Sequence, residues 1–190
     1  YYPSLAQNCL TGSVPSEIGY MSRIYYGMYL HQNSFSGSLP TEIGSLTCMY
    51  QYFHLYSNKL SGAIPTQLGY LSSTFYGYAY WYNNKFSSTL PTQMGRMTRF
   101  NRYFNLNSNK LTGLLPTQLA SMSNFYYYFY LNSNRFCGEI PNVITNRTSS
   151  YSSWGRSSRD KVHSAPATRT GPLAQTSWSG RWKWTVRVTD

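Results

Sequence analysis

A phrase of about twelve residues recurs six times along the chain at an almost constant interval. It reads NKLSGAIPTQLG from Asn58, and its variants are NCLTGSVPSEIG, NSFSGSLPTEIG, NKFSSTLPTQMG, NKLTGLLPTQLA and the shortened NRFCGEIPNVI. The opening asparagines are Asn8, Asn33, Asn58, Asn84, Asn109 and Asn134, so the steps are 25, 25, 26, 25 and 25 residues. The prolines of the phrase repeat with the same steps. A repeat of this length predicts a solenoid in which each turn contacts only its neighbours.

The composition fits a packed chain and limits the alternatives. Of the 190 residues, 41% are hydrophobic and 11% are charged, which is enough apolar material for a continuous core. No apolar run approaches the roughly 18 residues that a membrane span needs. No charged segment leading into an apolar run precedes the first residues, so we expect any signal peptide to have been removed or never to have been part of this chain.

The apolar positions of each unit show what one turn must bury. Residues five and three before the asparagine alternate as in a short strand with one inward face. These pairs are Met28 and Leu30, Phe53 and Leu55, Ala79 and Trp81, Phe104 and Leu106, and Phe129 and Leu131. Further inward positions are predicted two residues after the asparagine (Leu10, Phe35, Leu60, Phe86, Leu111, Phe136), and three and six beyond the proline (Ile18 and Met21, Ile43 and Leu46, Leu68 and Leu71, Met94 and Met97, Leu119 and Met122).

The repeated asparagine is predicted to have a structural role. A polar side chain at a core-facing bend is costly to bury unless it is hydrogen-bonded. An amide both donates and accepts, so a stacked column of asparagines can satisfy the backbone groups that are left free where the strand turns away. The predicted column consists of Asn33, Asn58, Asn84, Asn109 and Asn134.

The phrase L-x-x-N-x-L-S-G-x-I-P-x-x-L-G-x-L resembles the extracellular, plant-type class of leucine-rich repeats, which also occurs in algae and other protists. The resemblance covers about residues 1–145. It implies an α/β fold: a right-handed, curved solenoid of about six turns, with a parallel sheet on the concave side and short helical or extended segments on the convex side. It also implies an extracellular protein without enzymatic activity, which binds proteins, peptides or glycans or builds extracellular structures. The family unit is usually one residue shorter, and aromatic residues here replace most leucines just before each strand.

Tyrosines dominate the predicted outward face of the concave strands. Because neighbouring strands lie about 4.8 Å apart, these side chains should form rows of stacked rings that suit protein or sugar contacts. The rings could equally serve only to stabilise one another across the strands. The candidate binding residues are Tyr29, Tyr52, His54, Tyr56, Tyr78, Tyr80, Tyr82, Tyr103, Tyr128 and Tyr130.

The chain offers little for catalysis, and no catalytic residue, cofactor or metal site is predicted. Glu17 and Glu42 occupy the same repeat position on the convex side and do not converge on a cleft, as a glycosidase would require. His31 and His54 lack metal-ligand spacing, so we interpret both as ordinary surface histidines. The three cysteines, Cys9, Cys48 and Cys137, form an odd set in three different phases of the repeat, so at least one thiol is unpaired within the chain.

The last repeat loses its pattern after Pro141, so we expect two regions: a solenoid over residues 1–145 and a basic, Trp-rich C-terminal cap or assembly segment over residues 146–190. The final WKWTVRVTD alternates like a strand, after a stretch with the composition of an extended loop. Trp and Arg often anchor interfaces. The predicted assembly residues are Trp178, Arg181, Trp182, Trp184 and Arg187, and Asn146 begins the triplet Asn-Arg-Thr of a glycosylation site.

Two functions remain open on these grounds. The first is a structural subunit of a self-associating extracellular assembly, for example a filament of copies of this chain. The alternative is a recognition module, such as a receptor ectodomain or an inhibitor, that binds a protein, peptide or glycan on the tyrosine-lined face. The basic C-terminal segment, residues 146–190, suits an anionic glycan or an acidic neighbouring subunit. Nucleic acid and a membrane span are not expected among the partners.

Overall fold

The computed structural model describes residues 4–73, 75–100, 102–122, 128–139 and 141. Each complete turn contains a short strand, a bend at the repeated asparagine, a second strand and a 3-10 helix. The strands are β1 (Thr11–Ser13), β2 (Gly27–Tyr29), β3 (Ser34–Gly37), β4 (Tyr52–His54), β5 (Lys59–Gly62), β6 (Tyr78–Tyr80), β7 (Lys85–Ser88), β8 (Tyr103–Asn105), β9 (Lys110–Gly113), β10 (Tyr128–Tyr130) and β11 (Arg135–Phe136). The 3-10 helices span Ser16–Tyr20, Thr41–Ser45, Thr66–Ser73, Thr92–Arg96 and Thr117–Ser121. The predicted solenoid is confirmed.

The strands that precede the asparagines form one parallel sheet in the order β10-β8-β6-β4-β2. Equal positions of successive repeats are paired, so that Tyr52 of β4 lies beside Tyr78 of β6 and Tyr103 of β8 lies beside Tyr128 of β10. We call this sheet the concave sheet, because it is the one that the sequence predicts for the inner surface. The pairing brings the repeated side chains of every turn into rows.

A second parallel sheet follows the asparagines, in the order β1-β3-β5-β7-β9-β11. We call it the lateral sheet; the sequence analysis did not predict it. The register of this sheet is offset by two residues between neighbouring repeats. Ser61, three residues after its asparagine, pairs with Lys85, which is one residue after the asparagine of the next repeat. The repeat pattern predicts one inward residue in each of these strands, such as Leu60, but not the extended backbone on both sides of it.

The core is a continuous apolar column along the axis of the solenoid, formed by the inward positions predicted from the repeat. Met28, Phe53, Leu55, Leu60 and Phe86 are almost fully buried. The prediction was wrong for Leu10 and Met21, which are 37% and 41% exposed. Both belong to the first turn, and the described residues include no earlier turn that would cover them.

The repeated proline directly precedes each 3-10 helix and supplies the extended backbone there, as Pro40 does with φ −68° and ψ 146°. In most turns a glycine lies four residues after this proline, and it permits neighbouring turns to approach closely. A Cβ atom on Gly69 would lie 2.5 Å from the carbonyl oxygen of Gln93 in the next turn. In the described part of the chain, all helical segments on the predicted convex side are short 3-10 helices and none is an α-helix.

The described residues contain no helix long and apolar enough to cross a membrane. The predicted C-terminal segment, residues 146–190, lies outside the described residues. Its proposed assembly side chains and the glycosylation site at Asn146 therefore stay predictions, as does the boundary near residue 145.

Candidate recognition surface

The column of repeated asparagines holds the backbone where each strand of the concave sheet ends. Nδ2 of Asn84 donates hydrogen bonds to the carbonyl oxygens of Leu55 and Trp81, at 3.0 and 3.2 Å. Its Oδ1 accepts a hydrogen bond from the N–H of Leu60 at 3.1 Å. In this pattern Oδ1 accepts from a backbone N–H of the preceding turn, and Nδ2 donates to one carbonyl oxygen of the preceding turn and one of its own turn. The same pattern is repeated at Asn33, Asn58, Asn109 and Asn134. The bend after each concave strand is thereby fixed.

Three rows of side chains project from the concave strands and the residues just after them. The first row holds Tyr52, Tyr78, Tyr103 and Tyr128; the second holds Tyr29, His54, Tyr80, Asn105 and Tyr130; the third holds His31, Tyr56, Tyr82, Asn107 and Asn132. Apart from Tyr128, whose side chain is not described, all of these residues are half-buried. We call this set the concave aromatic face.

Parallel rings connect successive turns along the rows. In the first row the ring centroids of Tyr52 and Tyr78 are 5.3 Å apart, and those of Tyr78 and Tyr103 are 5.4 Å apart. In the third row Tyr56 stacks on His31 at 4.4 Å and on Tyr82 at 4.6 Å. Aromatic pairs of this geometry are favourable, so the stacked rings stabilise one another across the turns.

The chemistry of the surface changes along the solenoid. Rings occupy the rows in the turns of β4 and β6, whereas amides replace them at Asn105, Asn107 and Asn132. The N–H of Asn107 donates to Oδ1 of Asn105 at 3.0 Å, while the buried Oδ1 of Asn107 has no hydrogen-bond partner. A ligand that follows the third row would meet rings first and hydrogen-bonding amides later.

The two histidines are not the ordinary surface side chains that the sequence analysis expected. Their ring centroids are 5.6 Å apart, and both rings are half-buried. Nδ1 of His31 and Nε2 of His54 are buried without a hydrogen-bond partner. Burial, and secondly the charge of His31, lower the pKa of His54 to about 4, and burial also lowers the pKa of His31. Both rings are therefore neutral at physiological pH.

Three tyrosine hydroxyls, those of Tyr56, Tyr80 and Tyr82, have raised pKa values and so stay protonated at physiological pH. Burial, reinforced by the charges of neighbouring tyrosines, raises the pKa of Tyr80 to about 12. Burial likewise raises the pKa of Tyr56 and of Tyr82. The concave aromatic face thus presents an uncharged surface with hydroxyl, imidazole and amide groups around its rings.

No cluster of three or more His, Cys, Asp or Glu side chains that could hold a metal ion occurs among the described residues. Cys9, Cys48 and Cys137 are free and exposed. Glu17 and Glu42 lie in the first turns of two 3-10 helices, away from the concave sheet. The described acidic residues are thus not placed beside the two histidines.

The sequence analysis missed a further row of rings, which runs beside the concave sheet. The rings of Tyr25, Tyr50 and Tyr76 are stacked, with centroids 5.6 Å apart at both steps. The guanidinium of Arg102 lies 5.7 Å from the ring centroid of Tyr76. All three tyrosines stand eight residues before a repeated asparagine, which is the signal that could have revealed the row. Since Tyr25 is 52% exposed, this row widens the aromatic surface.

Comparison with known proteins agrees with this geometry. The Leucine Rich Repeat family pattern matches residues 102–122. The fold is that of a leucine-rich-repeat solenoid. The chain is similar to the ectodomain of the receptor kinase GASSHO1/SCHENGEN3 from Arabidopsis thaliana, solved in complex with CASPARIAN STRIP INTEGRITY FACTOR 2: the identity is 30%, the TM-score is 0.72, and the match covers 78% of this chain and 17% of that one.

Two further Arabidopsis thaliana structures are similar to this solenoid. The BIR3–SERK2 complex matches with 29% identity and a TM-score of 0.60, over 72% of this chain and 69% of that one. The receptor kinase HAESA, solved with the peptide hormone IDA and the co-receptor SERK1, matches with a TM-score of 0.70 over 80% of this chain and 24% of that one; at 22% identity it supports the fold alone. This chain spans only 17% of the length of the GASSHO1/SCHENGEN3 ectodomain. No curated protein matches the sequence significantly.

Proposed function

We propose that this chain is a non-enzymatic recognition module that binds an extended segment of a partner protein or peptide on the concave aromatic face. The observation that carries the proposal is the set of stacked rings in register across the turns, from His31 and Tyr56 to Tyr82 in one row and from Tyr52 to Tyr103 in another. Aromatic rings with polar edges are the side chains that contribute most to protein interfaces.

The stacking of the rings favours this use. Tyr56 and Tyr78 stack on rings in the turns on both sides, so we expect a ligand to order few side chains when it binds. The three buried polar atoms without partners, on His31, His54 and Asn107, lie in the same rows. Unpaired buried polar groups reduce stability, and exceptions of this kind call for an explanation, of which a binding role is one.

The rows of the concave aromatic face combine uncharged aromatic rings with side-chain amides, and this combination favours a protein or peptide ligand over a glycan. Rings in the turns of β4 and β6 suit apolar side chains, while the amides of Asn105 and Asn132 suit the backbone of an extended segment. The similar ectodomains were solved with protein partners, which supports the same class of ligand here. The family resemblance further supports an extracellular location.

Selection from a displayed peptide library tests this function. The bait is the full chain, with counterselection on a variant that removes three rings from the face: Tyr56→Ala, Tyr80→Ala and Tyr82→Ala. The matched control removes three large, exposed side chains that lie outside the aromatic rows: Tyr20→Ala, Tyr70→Ala and Leu114→Ala. Circular dichroism establishes that both variants are folded.

We expect peptides that bind the wild-type chain and the control variant but lose at least about tenfold in affinity on the concave variant, because hot-spot rings each contribute on this scale. Peptides whose affinity does not depend on the concave rings would refute the proposal. A glycan array probed with the same three proteins provides the second arm, and binding of glycans in place of peptides would reassign the ligand class.

Self-association into an extracellular assembly stays a second proposal, and it rests on the Trp-rich and Arg-rich composition of residues 146–190. Light scattering of the full chain and of a chain ending at residue 145 tests it. We expect the full chain to assemble and the shortened chain to stay folded and monomeric. Assembly of the shortened chain would exclude the segment as the interface. Glycosylation of Asn146 is tested by mass analysis of native material.

A further inference from the structure

The outward face of the lateral sheet carries a row of basic side chains. Lys59, Lys85, Lys110 and Arg135 each stand one residue after a repeated asparagine, and all four are exposed. The residue that follows each of them, for example Leu60, points inward and is buried, which places the cations on the outer face. We call these four residues the basic row.

A second row of hydroxyl side chains lies beside the basic row. The offset register of the sheet pairs each cation with a hydroxyl residue of the preceding strand. The Cα partners are Ser36 with Lys59, Ser61 with Lys85, Ser87 with Lys110, and Thr112 with Arg135. The unit of one cation and one hydroxyl is thus repeated four times, with a step equal to the strand spacing of about 4.8 Å.

Negative charge is sparse around this face. The described acidic residues are Glu17, Glu42 and Glu139. Glu17 and Glu42 belong to the 3-10 helices of the convex side, and Glu139 follows the last member of the basic row by four residues. Four cations in line with so few nearby carboxylates produce a strip of positive potential that attracts an anionic partner.

We propose that the lateral sheet is a second binding site, and that it takes a linear acidic polysaccharide with carboxylate groups along its chain. The four cations lie in one row, so several carboxylates of an extended polymer that follows the row can meet them at the same time. The hydroxyls of Ser61, Ser87 and Thr112 are placed to hydrogen-bond with the hydroxyls of the sugar. Each contact is weak alone, and the repetition makes the binding strong.

The side chains of the lateral sheet favour a polysaccharide over a nucleic acid. Proteins that bind single strands usually provide rings on which bases stack. The outward positions of β5, β7 and β9 carry lysines and hydroxyls but no ring. The aromatic rows of this chain belong to the other sheet, so the two sites are separate and can be tested separately.

Calorimetric titration of the full chain with polygalacturonate at low ionic strength tests the proposal. The variant Lys59→Gln, Lys85→Gln and Lys110→Gln removes three charges from the basic row. The control, Arg23→Gln, Arg96→Gln and Arg99→Gln, removes the same charge from three exposed positions outside the lateral sheet. Methyl-esterified polygalacturonate, which has the same backbone without the charge, is the control ligand, and DNA at equal charge concentration is the competing polyanion.

We expect the basic-row variant to lose at least about tenfold in affinity and the control variant to lose less than about twofold, because only the first breaks the repeated contacts. Added salt should weaken binding, since the contacts are exposed. Equal losses in both variants would show attraction by net charge alone and would overturn the proposal. Equal binding of the esterified polymer, or tighter binding of DNA through the same three lysines, would overturn the assignment to an acidic polysaccharide.

Discussion

The Oδ1 atom of Asn58 accepts a hydrogen bond from the backbone N–H of Phe35, one turn earlier in the solenoid, at 3.0 Å. Nδ2 of the same side chain donates to the carbonyl oxygens of Leu30 and Leu55, both at 3.0 Å. One amide therefore satisfies three backbone groups that belong to two turns. If the amide were removed, the buried N–H of Phe35 would lose its partner. Each of the two carbonyl oxygens would lose one of its donors, because Asn33 also donates to Leu30 and Asn84 also donates to Leu55.

The first prediction concerns this amide. Asn58→Ala should lower the free energy of unfolding by about 1 to 3 kcal/mol, since it leaves the buried N–H of Phe35 unpaired and removes one donor from each of two buried carbonyl oxygens. Urea denaturation followed by circular dichroism measures the change. Asn132→Ala is the control, because this side chain belongs to the half-buried third row of the concave aromatic face and not to the column. It should change the free energy of unfolding by less than about 0.5 kcal/mol. Equal effects of the two substitutions would contradict the structural role of the column.

The second prediction concerns two core positions, one in strand β6 and one just after it, whose side-chain sizes are reversed relative to the neighbouring turns. Trp81 stands where the neighbouring turns have Leu55 and Leu106, and Ala79 stands where they have Phe53 and Phe104. The indole packs against the ring of Phe53 at 5.1 Å, and its Nε1 donates to the carbonyl oxygen of Phe53 at 3.1 Å. The small Ala79 thus leaves the space that the large Trp81 fills.

Trp81→Leu should therefore cost about 2 to 4 kcal/mol by leaving a cavity, and Ala79→Phe alone should cost about 1 to 3 kcal/mol by overpacking. The double variant restores the arrangement of the neighbouring turns, so it should be more stable than the sum of the single changes predicts. A double-mutant cycle in urea measures this coupling. Strict additivity of the two changes would refute the compensation.

The third prediction concerns the contact between 3-10 helices. Gly69→Ala would place a Cβ atom 2.5 Å from the carbonyl oxygen of Gln93, and backbone cannot move aside as a flexible side chain would. We expect a loss of about 1 to 3 kcal/mol in the free energy of unfolding. Ser45→Ala, at an exposed position of another 3-10 helix, is the control. A loss at Gly69 no larger than at Ser45 would show that the turns can separate at little cost.

The fold could be predicted because the repeat preserves both the apolar positions and the asparagine in every turn. Leu55, Leu60 and Leu68 show the inward positions directly in the sequence, so the core follows from the spacing. The lateral sheet could not be recognised in the same way, because its strands offer only one inward residue each, such as Leu60 in β5. Pairing between turns, rather than a pattern within a turn, gives these residues their strand geometry.

The concave aromatic face was predicted as rows, but the environment of each side chain was not. The sequence places His31 and His54 in different rows, and only the packing of the turns shows that their rings are neighbours and partly enclosed. The row of Tyr25, Tyr50 and Tyr76 was missed because the extra residue before each strand obscured its register. Burial of a polar group depends on what covers it, and that information lies in other turns.

The fourth prediction is a pH dependence that His54 introduces. Its pKa in the folded chain is lowered from 6.5 to about 4, chiefly by burial. Between these two values the unfolded chain binds a proton that the folded chain does not bind, so stability falls as the pH falls through this window. The effect is absent above the unfolded pKa and complete below the folded one. After allowance for solvent screening of the half-buried ring, we expect it to amount to about 1 to 3 kcal/mol.

His54→Tyr removes the titrating group and matches Tyr29 and Tyr80 in the same row, so it should fold with little strain. The free energies of unfolding of the wild-type chain and of this variant, measured in urea at about pH 7.5 and pH 4.5, isolate the contribution of His54. The wild-type chain should lose more stability than the variant on acidification, because His31 and the carboxylates titrate in both proteins while His54 titrates in one. Identical losses would mean that the imidazole of His54 is freely protonated in the folded chain, and that the surface around it is more open to water than its burial indicates.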